Sequence, residues 1–310
     1  MLFSSVFKAK ARAVLQQHWQ TALLIALIVN LPSLLVQGVG AFTHSDPMLR
    51  LENLLMEASQ SSAALNAFPE SVRAMLSETG VLVISGLSVL AWLVTPALSL
   101  GMNHWTLDRI RGEEEPVSTV LSRLGIFLKG IGLRIMTALR VLLWMLPGVA
   151  VFVLAMIPLW RADTSSARSV LSAANTSMML TYFALLAMLV LGLMGYLRYA
   201  LADLILADEP QERVLSCLRR SKTLMNGRTG ALLGLMVSFI LWYFLVSIAA
   251  TFAAEIAGDV AGLLIQMLGS LFISVYMLTS RAVFYEALRT APLGASPEPP
   301  AEEPPEDLLG

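Results

Sequence analysis

Long apolar stretches alternate with polar, charge-bearing segments along this chain. The stretches cover residues 21–42, 81–102, 135–159, 178–199, 231–254 and 260–280. A hydrocarbon core about 30 Å thick is crossed by roughly 20 apolar residues in a helix that rises about 1.5 Å per residue. Each stretch is long enough, so the pattern predicts six membrane-spanning helices. No water is available in the bilayer core, so backbone N–H and C=O groups must pair within the helix itself. The first stretch follows Lys8, Lys10 and Arg12, as the apolar region of a signal peptide would. It is longer than the roughly 7–15 residues of a cleaved region, and we read it as a retained span.

Composition agrees with the pattern. Hydrophobic residues make up 56% and charged residues 14% of the 310, whereas soluble domains carry about 25% charged residues. The net charge of −1 conceals a sorting by side. Lys8, Lys10, Arg12, Arg109, Arg111, Arg123, Lys129, Arg134, Arg213, Arg219, Arg220, Lys222, Arg228 and Arg289 fall on one side of the predicted spans. Arg50, Arg73, Arg161 and Arg168 fall on the other, and Arg140, Arg198 and Arg281 lie in or at the edge of spans. Basic loops stay in the cytoplasm, so a multi-pass protein of the cell membrane with both termini cytoplasmic is expected.

The polar segments have their own organisation. The outer loop, 44–80, contains apolar runs and is long enough to hold structure of its own. Short helices on the outer face are expected there, either as a packed cap or as a ligand lid. The tail, 291–310, is rich in proline and glutamate; it is expected to be disordered and cytoplasmic, either a plain solvated tail or a docking segment. The two large inner loops share a string, Glu115-Pro116-x-x-x-Val120-Leu121-Ser122 and Glu209-Pro210-x-x-x-Val214-Leu215-Ser216. Each continues with helical apolar spacing: Val117, Val120, Leu121, Leu124 and Leu128 in one, Val214, Leu215, Leu218 and Met225 in the other. A looser copy follows the N-terminal basic cluster, with Trp19 at the membrane entry. The even spans end alike, Asn103 preceding Asp108, Arg198 preceding Asp203 and Arg281 preceding Glu286 by five residues.

The chain therefore parses as one all-α membrane domain, 1–289, a six-helix bundle of three parallel pseudo-repeats. The units are about 1–109, 113–208 and 209–289, each an amphipathic interfacial helix on the cytoplasmic side, a span out and a span back. Such basic amphipathic helices lie at the headgroup level. They either cap the bundle or form a surface for lipid or a partner. Arg219, Arg220 and Lys222 make the best candidate lipid surface, each base contributing about 1 kcal/mol near anionic lipid.

Ionisable groups within spans are candidate functional residues. Arg140 lies deepest in an apolar run; Arg198 and Arg281 are close enough to the edge to snorkel. Five residues turn a helix by about 140°, so Arg198 and Asp203 do not share a face and pairing between helices is expected instead. Asp108, Asp203 and Glu286 would then ring the cytoplasmic mouth with Arg198 and Arg281 just inside and Arg140 deeper. Such a cluster is either a set of salt bridges that locks the repeats or a pocket for a charged solute or headgroup. Gly230-x-x-x-Gly234 would permit close helix packing.

Cys217 is the only cysteine, which excludes an intrachain disulfide and a cysteine-based metal site. His18, His44 and His104 are too scattered for a histidine-rich one. The chain has no GxxxxGK[ST], HExxH or GxSxG motif, so an enzyme is not expected. Neither a cofactor nor a nucleic-acid partner is called for.

The chain resembles one known family. Thr95-Pro96-Ala97-Leu98-Ser99-Leu100-Gly101 with Leu107-Asp108 and Arg111-Gly112-Glu113 is similar to that family's second-span block. Tyr199-Ala200-Leu201-Ala202-Asp203, Leu206-Ala207-Asp208, Ser221-Lys222, Leu224-Met225-Asn226-Gly227 and Ser238-Phe239-Ile240-Leu241-Trp242 resemble its most distinctive run. Ala282-Val283-Phe284-Tyr285-Glu286 is similar to its ending. The family is the bacterial integral-membrane family designated domain of unknown function nine hundred and seventy-five. The resemblance spans nearly the whole chain except the outer loop and the tail. Asn103 stands where the family usually has arginine. The resemblance implies a multi-span membrane protein and supplies no activity or catalytic residue. The expected function is a non-enzymatic membrane component that binds lipid or a membrane-protein partner at its cytoplasmic face. The alternative is a transporter or permease subunit for a small charged solute.

Overall fold

The computed structural model describes residues 2–43, 47–161 and 166–290. The tail, 291–310, and the start of the outer loop at His44 lie outside the described residues. Every regular element among the described residues is helical. Among the described residues, six helical segments are long and apolar enough to cross a membrane: Trp19–Gly40, Thr79–Arg111, Thr119–Pro158, Arg168–Asp208, Thr229–Ala257 and Val260–Thr290.

Helix α1 (Leu2–Gln16) is amphipathic. Phe7, Ala11 and Leu15 recur every four residues and are buried, while Lys10 and Arg12 are exposed. Span α2 (Trp19–Thr43) is followed by α3 (Pro47–Gln60) and α4 (Ser62–Ser77), which pack on each other. Ser61 caps α4 by accepting the Ala64 N–H at 3.0 Å, satisfying one of the donors a helix start leaves open. Arg50 on α3 pairs with Glu78 at the entry to α5 (Thr79–Arg111).

A short helix, α6 (Thr119–Ser122), and a 3-10 turn (Arg123–Ile126) lead into α7 (Phe127–Trp160). One continuous amphipathic helix is expected here, and the structure breaks it. The turn holds Gly125, a poor helix former. Val120 is buried against α5, whereas Leu121, Leu124 and Leu128 are exposed. Docking of α6 depends on Gly101 of α5, where an added Cβ would lie 2.0 Å from the Val120 carbonyl oxygen.

Helix α8 (Ala167–Tyr199) returns beside α7, and the pair is the most extensively packed in the chain. Gly148 allows it, since a Cβ there would sit 2.6 Å from Met188 Cγ. The Gly230 and Gly234 pair, in contrast, faces open space, so close packing in α11 does not use that motif. After α8 the chain runs through α9 (Ala202–Asp208), α10 (Val214–Leu224), α11 (Thr229–Ala257) and α12 (Asp259–Thr290).

The spans hold 25 to 34 residues, so the longest extend for about 50 Å and overshoot a core of about 30 Å. The excess gathers at one end. There the end of α5, all of α9, one face of α10 and the end of α12 bury Leu107, Leu201, Leu204, Ile205, Cys217, Leu218 and Phe284. Elsewhere the spans expose rows of leucine and phenylalanine, such as Leu142, Leu143, Leu185, Leu189, Leu241 and Phe244. Apolar side chains on a span can face lipid without cost, so the packed core sits where helices leave the apolar layer.

Candidate functional site

Helix α8 stops at Tyr199 and α9 restarts at Ala202. Neither glycine nor proline marks this break; Ser221 of α10 supports it. Its hydroxyl accepts the Leu201 N–H at 3.3 Å and donates to the Arg198 carbonyl at 3.1 Å. The break re-aims α9, and its two aspartates meet bases from other helices. Asp203 accepts Arg281 of α12 at 2.5 Å and the Asn103 side chain of α5 at 3.2 Å. Asp208 accepts Arg111 of α5 at 2.8 Å and the Tyr285 hydroxyl at 3.1 Å. Arg111 also reaches Glu286 of α12 at 2.9 Å, and Arg289 lies 3.3 Å from Glu286 and 3.6 Å from Asp208. Thus α5, α9 and α12 are joined by two polar knots, five residues apart on α9 and on α12.

The six residues of the expected ring are divided among separate places. Asp203 and Arg281 pair with each other. Glu286 belongs to the second knot with Arg111 and Asp208. Asp108 is buried and faces His104 at 3.4 Å. Arg140 lies over the Tyr199 ring at 5.3 Å and Arg198 over the Trp144 ring at 4.5 Å. Neither arginine joins an ion pair among the described residues. Stacking on an aromatic face holds a guanidinium without a carboxylate.

Arg111, Asp208 and Tyr285 are the members that pattern reading missed. Arg111 counted there only as loop charge, because a helix overshooting the membrane looks like a loop in hydropathy. Tyr285 and Glu286 fall within the family-like ending, and Asp208 within Leu206-Ala207-Asp208, which were the available signals.

The candidate lipid surface on α10 divides as well. Arg219 and Lys222 are exposed, while Arg220 pairs with Glu209 at 2.7 Å. That hydrogen bond raises the affinity of Arg220 for its proton above the ordinary range. Lys129 of α7 donates to the Pro210 carbonyl at 2.7 Å and anchors the loop before α10. On α1, burial pulls the Lys8 ammonium below the ordinary lysine range, and it lies 4.4 Å from the Phe239 ring centroid.

Beside the first knot, α5, α7, α8, α9 and Arg281 of α12 line an open cavity of about 540 Å³. Its two ends differ in chemistry. Asn103, Arg134, Asp203 and Arg281 line one part and Pro96, Val141, Leu142 and Met145 another, with Ser99, Thr137, Tyr196 and Tyr199 among the remaining lining. The difference follows the sequence. Charged residues are absent from 79–102 of α5, 141–160 of α7, 169–197 of α8 and 260–280 of α12. Arg140, Arg198 and Arg281 are the first charges beyond those intervals, so the cavity straddles the boundary between an apolar slab and a polar layer.

A comparison with known families finds a match over residues 1–292 to the family described as protein of unknown function (DUF975). No curated protein and no solved structure matches the chain.

Proposed function

The chain belongs to the family of proteins of unknown function DUF975, and from that premise we infer a non-enzymatic polytopic membrane component that holds an anionic phospholipid at its basic end. What supports this is the cavity that straddles the slab boundary, with Arg134 and Arg281 at its polar part and aliphatic walls toward the apolar layer. Arg281 is matched by Asp203, which leaves the Arg134 charge in excess inside the cavity, with Arg140 and Arg198 close by on Tyr199 and Trp144. A lipid phosphate would sit against Arg134 while its chains extend along Val141, Leu142 and Met145. A cavity of 540 Å³ is within the range of about 300–1,000 Å³ typical of ligand sites.

The orientation and repeat expectations belong to the same inference. The basic end faces the cytoplasm, and both termini lie there, in a bacterial cell membrane. Contacts among the short helices favour three parallel repeats. Helix α6 packs on α5, α10 packs on α8 and α9, and α1 packs on α12. Each leading helix thus rests on the return span of the preceding unit, and the third unit's is closed by the first, as an axis along the bilayer normal requires.

The test is lipid selectivity. Full-length protein in nanodiscs of mixed phosphatidylglycerol and phosphatidylethanolamine should enrich phosphatidylglycerol. Arg134→Gln should reduce that enrichment about tenfold, as for loss of a charge-assisted contact. Equal retention of the two lipids by the wild type, or unchanged enrichment in the variant, would end this proposal. The half-buried Asp203–Arg281 pair with buried Asn103 favours a second function, a permease subunit for a small charged solute. Solute flux that survives Arg140→Ala, Arg198→Ala and Asp203→Ala would dispose of it.

A further inference from the structure

A second cavity of about 540 Å³ lies away from the basic end, in a cleft with α12 at its back and α2 and α11 at its sides. Asn30, Ser33 and Gln37 of α2 line it, and so do Gln266, Ser270 and Ser274 of α12. Spacings of three and four residues put each set on one helical face. Tyr243 of α11 lines the same space. No charged residue lines it, which distinguishes it from the cavity at the slab boundary.

These side chains are costly in lipid. Part of their hydrogen bonding is met within the helices: Asn30 donates to the Ala26 carbonyl at 2.7 Å, Ser270 to Met267 at 3.0 Å and Ser274 to Leu271 at 2.8 Å. Their oxygens remain available as acceptors. Among the described residues the side-chain amides of Gln37, which is exposed, and Gln266, which is half-buried, make no hydrogen bond. Each amide carries two donors and a carbonyl, and an unpaired amide in an apolar medium costs several kcal/mol. Three amides and several hydroxyls facing one cavity call for an occupant that both donates and accepts. A charged occupant would be desolvated with no opposite charge to meet it. Leu27, Leu34, Leu263 and Leu271 complete the walls and suit an apolar body. The space is a local hollow within a cleft of three helices, which suits a ligand head better than a continuous partner helix.

We propose that this cleft binds a lipid whose head is uncharged and carries hydroxyl and ester groups, of the diacylglycerol type. Gln37 and Gln266, nearer the far ends of α2 and α12, donate to its hydroxyl oxygen, Ser270 accepts from that hydroxyl, and Asn30, deeper in the span, donates to an ester carbonyl. The site is separate from the anionic-lipid cavity and does not depend on it.

The probe is a photoactivatable, alkyne-bearing diacylglycerol in phosphatidylcholine nanodiscs containing the full-length protein, with crosslinks mapped by peptide mass spectrometry. Label should concentrate in residues 30–37 and 266–274 and be displaced by unlabelled diacylglycerol rather than phosphatidylglycerol. Gln37→Leu with Gln266→Leu should weaken labelling about fivefold, as for loss of one to two net hydrogen bonds. Ser270→Ala with Ser274→Ala should weaken it too, and carries the test if the glutamine pair fails to fold. Preference for phosphatidylglycerol should persist in the glutamine pair, so failure of either lipid site is seen independently. Label spread evenly over all spans, labelling unchanged in folded variants, equal displacement by phosphatidylglycerol, or a Gln37→Cys protein that crosslinks to a second copy through this cleft would each overturn the proposal.

Discussion

At the scale of single residues, two buried side chains of α10 are the most exacting. Ser221 supplies both a donor and an acceptor to the broken backbone between α8 and α9. Ser221→Ala leaves the Leu201 N–H and the Arg198 carbonyl short of partners in a buried place, which costs about 1–3 kcal/mol. Thermal unfolding in detergent should register that loss, and protease should cut near 200 sooner. Cys217 is fully buried. Burial, then the nearby Glu212 carboxylate, pushes its thiol from 9.0 up to about 11. The fold therefore favours the neutral thiol. That contribution is fully present below pH 9 and lost as pH rises toward 11, worth about 3 kcal/mol. Wild type should lose stability relative to Cys217→Ala across that window. At pH 8 maleimide should leave the native protein unmodified and react fully once it is denatured; modification of the native thiol within minutes would contradict the burial.

At the scale of elements, small changes of backbone spacing decide which helices meet. Gly101 ends the Thr95–Gly101 block that resembles the family's second span, but nothing local says that α6 will press its Val120 carbonyl there. Gly101→Ala forces α6 off α5 and should cost about 1–3 kcal/mol, the range for overpacking. Gly86→Ala in the same helix meets open space and should match or exceed wild-type stability, since alanine is the better helix former. Melting temperatures of the two proteins side by side test this, and equal losses would refute it. The apolar runs on α6 and the following turn were legible as amphipathic spacing, whereas their partner was not. Leu121, Leu124 and Leu128 stay exposed because Val120, with Val117 before it, forms the side that packs on the α5 cluster.

At the scale of the whole molecule, three helical hairpins are fastened mainly at one end. Arg111 is one link between them, beside the Asp203 knot, reaching from α5 to α9 through Asp208 and to α12 through Glu286. Removing one partner of a buried ion pair leaves the other uncompensated, which costs about 3–5 kcal/mol; partial exposure of Arg111 places this case at the lower edge. Arg111→Ala should therefore lower thermal stability sharply and speed hydrogen exchange in 202–208. Arg111→Lys should recover only part, because a lysine cannot span both carboxylates as a guanidinium fork does. If Arg111→Ala melts with wild type, the knot does not hold the hairpins together. The open apolar faces of the hairpins leave room for the two cavities, one at the slab boundary and one beyond it.

The six spans were readable from the sequence because lipid acts on each segment by itself: a helix is apolar enough and long enough, or it is not. The placement of Arg140, Arg198 and Arg281 at the margins of the charge-free intervals was readable for the same reason. Which charge meets which was not. Asp203 meets Arg281, 78 residues away, and Arg111 meets Glu286, 175 residues away. Their meeting depends on a helix break held by Ser221 and on how far each span overshoots. An apolar side chain chooses its solvent residue by residue, whereas an ion pair or a cavity needs two or more helices in register. Only the folded chain supplies that register.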